Sequence, residues 1–172
     1  MNFYTTFADI APRKEDDEKE PFTTWHARVQ HRIPHVPVSV AEHWLHRHWD
    51  QSPHYWLDLA RLRFRLERWT NARLAEIRFG FTWGNHGNWQ RDLIKPKHWL
   101  SDHWLWLNME KHGTWPAPII VLENANDAPN SAYGKLPPLL LIEGHHRLEF
   151  ARALSTLGKA LPDHEVWLAT LV

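Results

Sequence analysis

The chain has no cysteine in its 172 residues. That excludes disulfides, thiolate zinc sites and catalysis by a thiol. It has no net charge either: 20 basic residues balance 20 acidic ones, so no overall polycation draws it to nucleic acid or to an anionic surface. No apolar run approaches the roughly 20 residues of a membrane span, so no membrane partner is expected. The first ten residues, Met1 to Ile10, lack the basic stretch and apolar core of a secretory signal, and the expected setting is the cytoplasm. Glycine is scarce, at seven residues, so each one is a candidate for a turn that needs it.

Histidine and tryptophan are abundant instead, at 14 and 12 residues. They interleave in Trp44, His46, His48 and Trp49, and again in His98, Trp99, His103 and Trp104. A buried indole wants a partner for its N–H, and imidazole can serve. The expectation is a Trp-rich core whose histidines satisfy indoles. The alternative is exposed rings that stack nucleic-acid bases. His43 with His46, and His98 with Asp102, have helical ligand spacing, but no HExxH or other dense ligand motif is present, and no resident metal site is expected.

Along the chain, residues 1–21 end in a charged run between Pro12 and Pro21 and suggest a mobile arm. A single domain is expected over 22–172, opening with a helical extension. Ser52-Pro53 suits a helix start. Leu59, Leu62, Leu66 and Trp69 then recur at helical spacing to about residue 74. On that helix Arg61, Arg65 and Arg68 would share a face, either solvated or a rail for the phosphates of DNA. Ile77, Phe79, Phe81 and Trp83 alternate as in a strand, and 84–88 are turn residues. Pro96 opens a second predicted helix, which Gly113 closes. Residues 124–137 read as a polar loop between two strands.

The most informative segment is Leu139 to Leu154, LLLIEGHHRLEFARAL. Four apolar residues, Leu139 to Ile142, predict a buried strand. Gly144 predicts a tight turn, and Leu148, Ala151 and Leu154 predict one face of a helix. Such a unit aims backbone N–H groups and the positive end of a helix dipole at one spot. His145, His146 and Arg147 fall at that spot, which suggests a phosphate site. The alternative is an ordinary strand-to-helix turn with solvated polar residues.

The run IEGHHRLEFARAL resembles the Gly-x-x-Arg element of the ParB/sulfiredoxin superfamily. Pro118 to Glu123 and His164 to Val172 resemble the strands that flank it, so the likeness spans about residues 115–172. Ile33 to Val40 is a weaker candidate for the family's first strand. The resemblance implies an α+β module, a small mixed sheet with packed helices. It implies a nucleoside triphosphate or diphosphate as ligand, with Mg²⁺ as a companion ion. Gly144, His146 and Arg147 would contact phosphate. Glu143, His145 and His146 would serve any catalysis, as acid or as groups orienting water or metal. Relatives with this element include nucleotide hydrolases, small-molecule kinases, proteins described as DNases and a plasmid fertility-inhibition protein. His145 stands where sulfiredoxin has its cysteine, so sulfiredoxin chemistry is excluded. The different-class alternative is a non-catalytic module that binds nucleic acid or a protein partner. An arginine at a helix start usually keeps its head in water. The expectation is therefore that Arg147→Ala abolishes nucleotide binding and leaves the fold intact.

Overall fold

The computed structural model describes residues 7–50, 52, 56–80, 89–95, 97–124 and 136–172. The chain divides into two units, residues 1–64 with 169–172, and residues 65–168. The architecture is α+β.

In the first unit, the charged run folds as a hairpin, with β1 at Lys14–Glu15 paired antiparallel to β2 at Glu18–Lys19. Asp16 and Asp17 hold φ of 50° and 67°, the paired left-handed conformations that a tight two-residue hairpin demands. Helix α1, Phe22–Val29, starts after Pro21 and buries Trp25 and Val29. The Trp25 indole N–H donates to Ile10 O at 2.6 Å.

Ile33 to Val40 is not a strand. Pro37 immediately precedes a short helix, α2 at Val38–Val40, which runs on as a π-helical segment at Ala41–His46. A proline at a helix entry loses no hydrogen bond, whereas inside a sheet it would. Lys19 closes the far end by donating to His46 O and Arg47 O at 2.8 and 3.1 Å.

The predicted helix over 52–74 is overturned. Ser52 Oγ accepts from the Trp44 indole at 3.0 Å. Residues 53–55 lie outside the described residues. Leu59–Arg61 is one 3-10 turn, and Leu62–Thr70 is a strand, β3. Leu62, Phe64 and Leu66 also alternate at period two, so the same residues satisfied both templates. Pairing in the sheet decided between them.

The second unit holds most of a four-stranded sheet with order β3-β6-β4-β5, where β4 is Ile119–Glu123, β5 is Leu139–Glu143 and β6 is Asp163–Leu171. β4 and β5 are antiparallel, with Val121 opposite Leu141 and a register shift between Ile120 and Val121. Arg78 adds a single parallel bridge to Leu140 on the edge of β5. Among the described residues, that bridge is all that forms of the strand expected from Ile77; Phe81 and Trp83, like turn 84–88, lie outside them. So do residues 125–135 of the polar loop.

Thr70 Oγ1 accepts from Arg73 N and starts the short α3, Asn71–Leu74. α4 is Trp89–Leu93 and α5 is Trp104–His112. α5 begins later than expected because His103 is extended and its ring accepts from Leu105 N at 3.2 Å, a side-chain cap. Gly113 ends the helix at φ 70°, as expected.

The last helix, α6, is His145–Thr156. It carries the chain from β5 past β4 to β6. It is buried on more than one face: Arg147, Leu148, Glu149, Phe150, Ala151, Ala153 and Leu154 are all covered. Leu148, Phe150 and Leu154 join Trp69, Trp106 and Val121 in one apolar core.

Candidate functional site

Leu139 to Thr156 folds as strand, glycine turn and helix, as the sequence predicts. Gly144 occupies the N-cap position at φ 105° and ψ 32°, with no side chain to cap the helix. A Cβ there would stand 2.5 Å from Ile119 Cγ2 on β4. Glycine is therefore required twice, by the backbone angle and by the close approach of β4.

The four residues around that glycine have separate fates. His146 is exposed and lies nearly parallel to Phe150, one helical turn on, with ring centroids 6.1 Å apart. His145 is half-buried and stacks on Phe79 at 5.5 Å. Glu143 is paired with Arg147. Arg147 differs from expectation: it is 7% exposed, and its head points into the protein. Its Nη1 donates to Ala117 O at 2.6 Å and to Pro118 O at 3.0 Å, while Nη2 donates to Glu143. The guanidinium thus ties the start of α6 and the end of β5 to the residues leading into β4. Its fork is spent on two carbonyls and a carboxylate, so it acts as a buried anchor.

Two residues outside the expected set stand at the same place. His103 meets His146 edge to face, with centroids 6.2 Å apart, and meets Phe150 at 6.1 Å. Trp104 lies against His103 at 6.1 Å and 27° and is 60% exposed. Sequence spacing separates these two residues from His146 by some forty positions, and no periodicity links them. The one available signal was the His-Trp pair at a helix start. His98 packs edge-on to Trp106 at 4.8 Å, a His–Trp contact of the kind expected. The indoles themselves look elsewhere: Trp25 and Trp115 donate to backbone carbonyls, Trp44 to a serine and Trp69 to Glu67.

Glu149 and Arg152 form a second ion pair lower on α6, at 3.4 Å. Arg152 also donates to Leu74 O and Ile77 O, at 3.0 and 2.8 Å. Burial holds its pKa below the usual guanidinium value, with Glu149 opposing. These contacts fix the helix against α3 and the segment after it.

The arginine rail is dispersed. Arg61 donates to Val172 O at 2.6 Å from the 3-10 turn. Arg65 and Arg68 lie on β3 an odd number of residues apart, hence on opposite faces. Arg65 pairs with Glu67 at 2.6 Å and Arg68 with Asp163 at 2.9 Å. The helix that would have aligned them does not form. Among the described residues, no group of three or more His, Asp or Glu side chains is placed to hold a metal ion, and no helix is long and apolar enough to cross a membrane.

No protein-family model, curated protein or solved structure matches this chain.

Proposed function

We propose that this chain is a nucleotide-binding module of ParB/sulfiredoxin type, holding the phosphates of a nucleoside di- or triphosphate, alone or with Mg²⁺, at the start of α6. The observation that carries the reading is the turn at Gly144: a twelve-residue helix begins at a glycine, which has no side chain to cap it, with an exposed histidine in its first turn. The leading N–H groups of such a helix suit an anion, and the helix dipole adds about half a positive charge. His146 supplies a side-chain donor.

Arg147 has a different part from the one the resemblance implies. It supports the site from behind by locking the turn and by neutralising Glu143, whose free charge would repel a phosphate. Glu143 and His145, expected in catalysis, are engaged by Arg147 and Phe79. Binding, rather than turnover, is therefore the activity this arrangement favours.

The test is calorimetric titration of the full chain with ATP, ADP, CTP and inorganic triphosphate, each with and without Mg²⁺. At least one should bind, and His146→Ala should weaken it about ten- to hundredfold, the worth of one hydrogen bond to a charged group. A thermal-shift screen gives the same answer independently, because a ligand at 100 times its Kd adds about 2.7 kcal/mol. If none of the four binds, the reading is wrong.

A further inference from the structure

We propose that His103 and Trp104 form the second wall of this site, with Trp104 taking the base of the nucleotide and His103 a phosphate oxygen. The inference rests on the phosphate reading above and extends it to residues that neither the motif nor the resemblance assigns.

Three observations carry it. Trp104 is exposed although its neighbours Leu105 and Trp106 are buried, so its ring is offered to solvent and is not part of the core. The His103 ring lies beside it, 6.1 Å away and inclined by 27°, and Trp104 keeps 60% of its surface exposed for stacking. Base–aromatic stacking needs one open face. Secondly, His103 Nδ1 accepts from Leu105 N. That cap fixes the neutral ring as the tautomer with its proton on Nε2, so His103 is a hydrogen-bond donor at its remaining nitrogen. Among the described residues, no acceptor takes that proton. Thirdly, His103 is 6.2 Å from His146, centroid to centroid. Two imidazoles at that separation reach oxygens of the same phosphate chain. The order Trp104, His103, His146 then matches the order base, proximal phosphate, distal phosphate.

The variants follow from the same geometry. His103→Asn keeps a good N-cap acceptor and removes the imidazole. Trp104→Leu removes the stacking face at an exposed position, and Trp104→Phe keeps most of it. Full-length parent and variants are titrated with ATP and with inorganic triphosphate, and circular dichroism and solution mass are recorded for each.

The parent should bind ATP more tightly than triphosphate, by about five- to a hundredfold. Trp104→Leu should lower ATP affinity to the triphosphate level and leave triphosphate unchanged, and Trp104→Phe should restore most of the loss. His103→Asn should weaken both ligands about tenfold. Equal binding of ATP and triphosphate by the parent, or unchanged ATP binding in Trp104→Leu, overturns the base subsite while the phosphate site stands. A change of solution mass in Trp104→Leu without a change in affinity assigns the exposed ring to contact between copies of the chain and also overturns it. If neither ligand binds the parent, this inference fails, and the phosphate reading fails with it when ADP and CTP do not bind either.

Discussion

Gly144 and Ile119 are pressed together so closely that no side chain fits between them: a Cβ on Gly144 would lie 2.5 Å from Ile119 Cγ2 and 2.9 Å from its Cβ. β4 therefore sets the height at which the chain turns from β5 into α6. The proposed phosphate site at the start of α6 would depend on this contact.

Gly144→Ala should destabilise the protein more than a surface change does. Positive φ costs a residue with a Cβ about 1–3 kcal/mol, and forcing atoms into packed space costs about 1–3 kcal/mol more. The urea midpoint should fall with an unchanged slope. A midpoint equal to the parent's would show that β4 yields freely.

Arg147→Ala should unfold or strongly destabilise the protein, contrary to the expectation drawn from sequence. It would take the guanidinium away from Glu143 and from two carbonyls, those of Ala117 and Pro118, in a site where the arginine side chain is 9% exposed. Breaking a buried pair costs about 3–5 kcal/mol. Arg147→Lys should recover part of this by keeping the charge but not the fork. Thermal melts of the three proteins decide it. An Arg147→Ala protein as stable as the parent would contradict the anchor role.

Acid should weaken the fold through His164. This histidine is 2% exposed, with Nδ1 2.8 Å from Thr114 Oγ1 and Nε2 3.1 Å from Asn71 Oδ1. Burial holds its pKa below the ordinary imidazole value, and Asp163 opposes the shift. The unfolded chain binds a proton near pH 6.5 that the folded chain resists. The stability His164 contributes is thus whole above about pH 6.5 and declines as pH falls through that value toward the folded pKa. Urea midpoints at pH 7.5 and 5 should differ less in His164→Gln than in the parent.

Trp69→Phe should raise the pKa of Glu67. The Trp69 indole donates to Glu67 Oε2 at 2.6 Å, and this bond, helped by Arg65 and Arg73 against the cost of burial, keeps the carboxyl below its usual value. Stability from this group is present above the unfolded carboxyl pKa of about 4.3 and is lost as pH falls through the folded value. The Phe variant should lose less stability on acidification. An NMR titration of the Glu67 carboxyl reads the shift directly, and an unmoved pKa would refute it.

Local chemistry was legible in the sequence wherever one element was over-determined. Leu139 to Leu154 announced its strand, turn and helix because an apolar run, a glycine and a helical repeat agreed. Gly113 announced the end of α5 for the same reason. β3 was not legible, because Leu62, Leu66 and Trp69 fit a helix while Leu62, Phe64 and Leu66 fit a strand, and a pairing partner 100 residues away in β6 decided the matter. Ile33 to Val40 was a candidate strand only by its weak likeness to the family, and Pro37 was the stronger constraint.

For the candidate site, the sequence by itself determined which residues stand at the start of α6, since backbone geometry within a short segment needs no distant information. Only the tertiary structure decided which way they face. Arg147 turns inward because the carbonyls of Ala117 and Pro118 lie within reach of its guanidinium and accept from it. His103 reaches His146 because α5 packs on α6, a contact fixed by core side chains such as Trp106 and Phe150, whose rings meet at 5.4 Å. Chain order fixes what is adjacent along the backbone; burial of apolar surface fixes what is adjacent across it.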